Sequence, residues 1–159
     1  AAEFAEAGTP FVFDPGQGIV LFDGAELLSF VRQAAWVTLN DYEAQLLRER
    51  TGKSIEELAR GVRAIIVTLG GKGSHIYTEG RVVEIPAANT RTIKDPTGCG
   101  DAYRAGLLHG LAQGLDWKTT GRIAALMGAI KIEHPGTQNH RFTQDEFKAR
   151  FRESFGYAL

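Results

Sequence analysis

One glycine-rich stretch, Asp95-Pro96-Thr97-Gly98-Cys99-Gly100-Asp101, constrains the fold of this 159-residue chain more than any other. A β-like run over residues 90–94 precedes it, and a helical pattern that ends near Gly114 follows it. Three leucines form the predicted apolar side of that helix: Leu107, Leu108 and Leu111. The pattern therefore places Gly98-Cys99-Gly100 where a loop becomes the N-terminus of a helix.

Such a loop has the chemistry of an anion site. Glycines allow backbone amides to approach a ligand closely, and the first amides of a helix lack partners within it. Because the helix dipole is positive at that end, phosphate is the expected ligand. Asp101 falls in the first helical turn. It is either a charge that stabilises the helix or a general base for attack of a hydroxyl on phosphorus, and the pattern alone leaves both open.

Two other segments place polar or glycine residues directly after predicted strands. Asn40 follows the strand of residues 36–39, and Glu43 stands three residues on, which is the spacing of a helix capping box. The strand of residues 64–69 is broken by Gly70-Gly71-Lys72-Gly73. This break is either a plain glycine turn or a loop whose amides face an anion. No Walker motif occurs, so Lys72 is interpreted as a solvated charge.

Predicted strands and helices alternate along the chain. The strands are residues 10–14, 36–39 and 64–69, followed by a hairpin of 74–78 and 81–85 around Glu79-Gly80. The helices are residues 25–35, 40–52 and 54–61, the one after Gly100, one from Asp116 or Thr119 through Ile130, and one capped by Thr143 and Glu146. Residues 15–18 are predicted to be loop. The alternation predicts an α/β fold with a mostly parallel sheet and flanking helices, and ligands at the carboxyl ends of its strands.

Composition excludes several classes of function. The formal net charge of −1 gives no nucleic-acid footprint, and no apolar run reaches membrane-spanning length. The single cysteine excludes an internal disulfide and predicts a reducing, cytoplasmic location. The four histidines are scattered and argue against zinc: His75, His109, His134 and His140. Residues 1–8 are typical of the end of a helix stopped by a glycine, which predicts that the chain is part of something longer.

Taken in order, these motifs resemble the signatures of the PfkB (ribokinase-like) family of small-molecule kinases. Asn40-x-x-Glu43 resembles its Asn-x-x-Glu motif, and the loop from Thr68 through Gly70 to Gly73 resembles its Thr-x-Gly-x-x-Gly loop. The stretch from Asp95 to Asp101 resembles its Asp-Thr-x-Gly-Ala-Gly-Asp signature, with Pro96 and Cys99 in place of the commoner residues. Gly136-Thr137-Gln138 resembles its Gly-Ala-Gln loop beside the nucleotide base.

The resemblance implies an ATP-dependent phosphotransferase with a three-layer, Rossmann-like fold. Asp101 is implied as the general base, with the amides of Gly98, Cys99 and Gly100 on the transferring phosphoryl group. Six residues are implied to bind the nucleotide: Thr68, Gly70, Gly73, Gly136, Thr137 and Gln138. Asn40 and Glu43 are implied to hold Mg²⁺ through water, and Asp95 to ligate a monovalent cation such as K⁺. At this helix N-terminus the pKa of the Cys99 thiol is expected to fall.

The implied acceptor is the primary hydroxyl of a small molecule. The stretch around Asp101, with Phe13-Asp14-Pro15-Gly16-Gln17 upstream, looks most like bacterial adenosine kinases of the family, and a ribokinase-type or fructokinase-type sugar kinase is the alternative. Residues 1–159 would then be the C-terminal nucleotide-binding and catalytic part of the fold, without the N-terminal half that carries the acceptor site and lid. Two other interpretations stay open: a non-catalytic nucleotide-binding fragment, and a scaffold with incidental glycine loops. A homodimer is compatible with the resemblance.

Overall fold

A computed structural model describes all residues from Ala1 to Leu159. The chain divides into two compact units. The first comprises Ala1–Gly70 and His75–Val83, and the second comprises Gly71–Ser74 and Glu84–Leu159. The chain passes from the first unit to the second and back within the glycine-rich segment that follows the third strand.

A five-stranded sheet contains β1 (Val12–Phe13), β2 (Trp36–Asn40), β3 (Ala64–Thr68), β4 (Ser74–Thr78) and β5 (Arg81–Ile85), in that order. The first three strands are parallel, with Trp36 opposite Val12 and Ala64. β4 and β5 form the predicted hairpin. The predicted α/β class with a mostly parallel sheet is confirmed, although β1 is shorter than the predicted residues 10–14. Residues Gly16–Leu21 form a 3₁₀ helix where the sequence predicted a loop.

Side-chain caps fix where three of the four helices of the first unit begin. These helices are α1 (Ala2–Glu6), α2 (Gly24–Gln33), α3 (Asp41–Thr51) and α4 (Ile55–Ala59). Asn40 and Glu43 form the predicted reciprocal capping box at α3, and Ser54 and Glu57 form another at α4. Asp23 caps α2 in the same way, although no cap was predicted there. Because each cap satisfies amides that have no partner inside the helix, the helix starts are encoded locally.

The core of the first unit lies between its parallel strands and its helices. Ile65, Leu47 and Leu27 are fully buried and come from β3, α3 and α2. β3 is buried along nearly its whole length, as expected for a central parallel strand covered by helices.

Three helices make up most of the second unit: α5 (Cys99–Ala112), α6 (Trp117–Ile132) and α7 (Gln144–Phe155). α5 and α6 pack closely because glycines lie at the contact. A Cβ atom on Gly106 would lie 2.7 Å from the Cα of Ala124, and one on Gly110 would lie 2.6 Å from the side chain of Thr120. The small residues of α6 at this contact therefore serve tight helix packing.

Two predictions for the central stretch are wrong. Residues 90–94 form no strand, because no other strand lies beside them and the amides of Lys94 and Asp95 donate instead to the carbonyl of Ile132, at 2.9 and 3.1 Å. Leu108 does not share the apolar side of α5: it is 51 % exposed, whereas Leu107 is fully buried. The side of α5 that faces α6 is lined instead by small residues such as Gly106.

No helix of the protein combines the length and the apolar composition that a bilayer crossing requires.

The hairpin turn offers a test of the local backbone. Glu79 is the one non-glycine residue with a positive φ, of 50°, and Gly80 follows with a φ of 73°. Since asparagine tolerates this conformation better than glutamate, Glu79→Asn should raise the free energy of unfolding by about 1 kcal/mol. The exposed ion pair with Arg81 that it removes contributes little.

Chemical denaturation of both proteins measures this gain. Glu84→Asn on β5 is the control, because that position lacks a positive φ and should not gain stability. Equal or lower stability of Glu79→Asn would show that the turn is not strained at this residue.

Candidate functional site

Three predicted site residues of the first unit lie together at the carboxyl end of its parallel strands. Asn40 ends β2 and pairs in register with Thr68, which ends β3. Glu43 lies one turn into α3, joined to Asn40 by the capping box: the Glu43 amide donates to Asn40 Oδ1 at 2.7 Å, and the Asn40 amide donates to Glu43 Oε2 at 2.8 Å. Asp14 follows β1 at the same edge and accepts a 2.7 Å hydrogen bond from Thr38.

The capping pair fits a hydrated Mg²⁺ but not a directly bound one. Only 8 % of Glu43 is exposed, and its Oε2 is committed to the Asn40 amide. Its Oε1 lies outside the cap. Mg²⁺ usually keeps several waters and uses few protein carboxylates, so a single oxygen can hold it through water. No group of three acidic, histidine or cysteine side chains is arranged to bind a metal directly.

The two outer glycines of the Gly70-Gly73 loop have different roles. A Cβ on Gly73 would lie 2.0 Å from the carbonyl oxygen of Ile85, so this glycine is required by the packing of its own unit. Gly70 has a φ of 58° and meets nothing within 4 Å, so its backbone stays accessible. The Thr68 hydroxyl is turned inward and donates to the carbonyl of Leu39 at 3.4 Å.

The second unit contains the predicted anion loop at the start of α5. Gly98 is the N-cap of this helix, with a left-handed φ of 81°. The amide of Cys99 donates to the carbonyl of Pro96 at 3.1 Å. The amides of Gly98, Gly100 and Asp101 donate to no group of the chain. Three unpaired amides at a positive helix end are the donor set that binds phosphate.

The loop of Gly136, Thr137 and Gln138 lies directly against the anion loop. A Cβ on Gly98 would lie 3.0 Å from the carbonyl oxygen of Thr137 and 3.1 Å from its Cα. Gly136 has a φ of 78°. Within the second unit the structure thus brings together two motifs that are separated by about forty residues in the sequence. Thr137 and Gln138 are exposed beside this contact.

Asp95 connects these two loops through every polar group it has. Its Oδ1 accepts a hydrogen bond from the amide of Thr97 at 2.9 Å, and its Oδ2 accepts one from the amide of Gly136 at 2.8 Å. Its carbonyl accepts the ammonium of Lys131 at 2.7 Å, and its amide donates to Ile132. Hydrogen bonds from the Thr97 side chain and amide, and from the Gly136 amide, lower the pKa of Asp95 from 3.8 to about 2.

These contacts do not fit a K⁺ ion at Asp95. Both carboxylate oxygens accept amides of the chain, and the Asp95 carbonyl accepts an ammonium. The ammonium of Lys131 lies beside the Asp95 carbonyl oxygen where a cation would bind, and its positive charge would repel a second cation there.

Asp101 has an exposed carboxylate beside the anion loop. Its side chain is 75 % exposed in the first turn of α5, beside the unpaired amides. Its Oδ1 accepts a 2.6 Å hydrogen bond from Arg104, three residues further along the helix. This ion pair orients the carboxylate, and its exposure leaves the other oxygen accessible to a substrate.

The expectation for the Cys99 thiol is wrong. Burial raises the pKa of Cys99 instead of lowering it, because desolvation outweighs the nearby charge of Lys131. The thiol points toward the carbonyl of Asp95, with Sγ 3.9 Å away. Cys99 therefore fills space under the loop. The expectation that its amide is an anion donor is also wrong, because that amide already donates to the carbonyl of Pro96.

Sequence reasoning missed three contributors. Lys131 is buried completely at the end of α6, although a lysine in a last helical turn is ordinarily a solvated charge. Arg104 pairs with Asp101, which only its three-residue spacing could have indicated. Tyr103 is buried in α5 and shares a 2.7 Å hydrogen bond with Ser74, and burial raises its pKa to about 12.

The mostly parallel sheet and its flanking helices define this chain as an α/β protein. The chain belongs to the PfkB family of carbohydrate kinases, whose family pattern matches residues 5–144. It is 34 % identical to the nucleoside kinase of Methanocaldococcus jannaschii over 138 residues, which are 87 % of this chain and 46 % of that protein.

Solved structures agree with this assignment. The nucleoside kinase of Burkholderia thailandensis in complex with inosine matches with a TM-score of 0.97 and 49 % identity, over 99 % of this chain and 52 % of that one. The same enzyme in complex with ADP-inosine matches with a TM-score of 0.96. The M. jannaschii enzyme, an archaeal member of the ribokinase family, matches with a TM-score of 0.87 and 32 % identity, over 91 % of this chain and 48 % of that one. The chain thus spans about half the length of these relatives.

The hydrogen bonds of Asp95 predict a specific acid sensitivity. Its folded-state pKa of about 2 lies below the ordinary 3.8, so its contribution to stability is complete above pH 3.8 and is lost as the pH falls toward 2. Asp95→Asn cannot accept both amides. The variant should melt at a lower temperature at neutral pH, and the difference from the wild type should shrink between pH 4 and pH 2.

Melting temperatures recorded from pH 7 to pH 2 measure this difference. Glu153→Gln, on an exposed part of α7, is the control and should follow the wild type throughout. A constant difference between Asp95→Asn and the wild type at every pH would mean that Asp95 acts through packing rather than charge.

The raised pKa of Cys99 predicts slow alkylation at neutral pH. The thiolate is the form that reacts with iodoacetamide. The rate of alkylation should therefore rise with pH, and in the folded protein this rise should occur at higher pH than in the unfolded chain. Mass spectrometry of the folded protein and of the same protein in urea measures both curves. A folded-state curve displaced to lower pH would restore the activated-thiol interpretation.

Proposed function

We propose that this chain is the nucleotide-binding and catalytic part of a kinase that transfers the γ-phosphoryl group of ATP to a primary hydroxyl of a nucleoside. The observation that carries the proposal is the start of α5. Unpaired amides of Gly98, Gly100 and Asp101 and an exposed carboxylate occupy the same helical turn. This combination supplies both an anion site and a proton acceptor, which are the two parts that phosphoryl transfer requires.

In the proposed reaction Asp101 takes the proton of the acceptor hydroxyl as its oxygen bonds to the γ-phosphorus. The bond between that phosphorus and the β-phosphate oxygen breaks, and ADP leaves. The helix-terminal amides hold the oxygens of the transferring group, where negative charge is greatest in the transition state. Arg104 keeps one oxygen of Asp101 oriented through their 2.6 Å hydrogen bond.

Asn40 and Glu43 are the residues that we propose to hold Mg²⁺ through water. The ion would neutralise charge on the nucleotide phosphates. The capping box orients the Glu43 carboxylate whether or not an ion is present, because both of its hydrogen bonds are within the chain. Thr68, Gly70, Gly136, Thr137 and Gln138 remain the proposed nucleotide contacts, and the packing role of Gly73 makes it an indirect one.

A nucleoside acceptor is supported by the relatives rather than by residues of this chain. The matching structures are of a nucleoside kinase with inosine and with ADP-inosine, and the curated relative is also a nucleoside kinase. We propose a purine nucleoside as the acceptor, with adenosine as the first to test. Because the family is one of carbohydrate kinases, a sugar is the competing acceptor. Phosphorylation of adenosine, inosine, ribose and fructose compared in one assay would separate the two classes.

The domain assignment rests on the coverage of the relatives. Since the chain spans about half of their length, we propose that the acceptor site and lid belong to a part of the fold outside these residues. A nucleotide-binding fragment without activity is then the second candidate function. ADP binding by this chain in calorimetry, without phosphorylation of any acceptor, would favour it. The cytoplasmic location stays a prediction from the single cysteine.

The central test is Asp101→Asn in the complete kinase. The substitution preserves size, so melting temperature and ATP affinity should change little. Loss of the proton acceptor should lower kcat by about 10²–10⁴-fold, the usual contribution of a general base. Asp145→Asn is the matched control, because Asp145 also lies in the first turn of a helix. A kcat of Asp101→Asn within a few-fold of the wild type would place the base elsewhere.

A further inference from the structure

Lys131 is one of the largest fully buried side chains of the protein, and its environment is unusual for a lysine. It is 0 % exposed at the end of α6. Lysine is almost never fully buried unless its charge is paired, because an unpaired ammonium loses its hydration. The burial of Lys131 therefore needs a specific partner.

That partner is not a carboxylate. The ammonium of Lys131 donates to the carbonyl oxygens of Asp95, at 2.7 Å, and of His134, at 3.2 Å. No salt bridge of Lys131 is present among the ion pairs of the chain. A full positive charge held by backbone carbonyl oxygens is the arrangement in which proteins bind K⁺.

The two carbonyls belong to the two loops of the candidate site. Asp95 begins the anion loop, and His134 begins the turn that leads to Gly136 and Thr137. One ammonium thus joins both loops beneath their contact at Gly98. Its positive charge also helps to lower the pKa of the Asp95 carboxylate, which accepts a hydrogen bond from an amide of each loop.

We propose that Lys131 is a covalently attached substitute for a monovalent cation, and that it positions the anion loop so that phosphate binding by this protein does not depend on K⁺. Lys131 is a positioning residue, since its ammonium contacts the loop backbone and not the proposed phosphate. The expected effect on nucleotide affinity rests on the proposed function, whereas the expected effect on melting temperature does not depend on it.

The test compares KCl with tetramethylammonium chloride at equal ionic strength. Melting temperature and ADP affinity of the wild-type chain should be the same in both salts within about twofold in affinity. Lys131→Ala removes the ammonium and leaves space beside the two carbonyls. In tetramethylammonium it should melt lower and bind ADP about tenfold more weakly, the effect of one charged hydrogen bond.

Rescue distinguishes a cation role from simple packing. K⁺, or butylammonium added in its place, should restore much of the melting temperature and ADP affinity of Lys131→Ala. Lys131→Met fills the same space without charge and should not respond to either. Lys118→Ala, at the exposed start of the same helix, is the control and should resemble the wild type in both salts.

Each outcome decides between the alternatives. A wild-type protein whose melting temperature or affinity requires K⁺ would overturn the proposal, as would a folded Lys131→Ala with unchanged properties in both salts. If Lys131→Ala does not fold, the wild-type comparison and Lys131→Met still decide. If the wild type binds no ADP, the proposed function fails, whereas the salt dependence of the melting temperatures still tests Lys131.

Discussion

The bonds of Asp95 determine the shape of the candidate site in the second unit. Its amide, carbonyl and both carboxylate oxygens bind four partners, which lie on the anion loop, at the end of α6 and in the loop that follows. The segment from residue 90 to residue 97 has no strand or helix of its own to hold it in place. Without these bonds, nothing within the segment would keep Gly98 beneath Thr137 or hold the start of α5 in the orientation that exposes its amides.

The anion site depends on the hydrogen bonds of Asp95 and also on the backbone conformation of the loop. Gly98 adopts a left-handed φ, which disfavours a side chain, and it approaches Thr137 so closely that a Cβ atom would be in tight contact with the Thr137 backbone. Three amides remain unpaired as a result, and Asp101 is held beside them by Arg104. The same loop thus contains the anion donors and the proposed base. Their positions relative to each other are set by one turn of helix, which is a rigid element.

The candidate residues of the first unit are positioned in a different way. Its strands end in residues that also cap or precede the next helix, as Asn40 does between β2 and α3. The capping box that starts α3 also orients the Glu43 carboxylate that we propose to hold a hydrated metal, so the cap by itself does not distinguish the two roles. Gly73 is the opposite case, because its conformation and its contact with β5 fully explain why it is a glycine.

The sequence by itself determined the features that depend on neighbouring residues. Helix starts, the Glu79-Gly80 hairpin, the buried strand β3 and the α/β class all follow from caps, turn residues and periodicity within short windows. The tertiary structure decided the features that depend on distant contacts. Residues 90–94 look like a strand but lack a partner strand, and burial reverses the expected change in the pKa of Cys99. In the sequence Lys131 resembles a surface charge. In the structure its ammonium donates to the carbonyl of Asp95, which is 36 residues away in the sequence. No local sequence pattern encodes this hydrogen bond, because it depends on how the tertiary fold positions the loop that begins at Asp95.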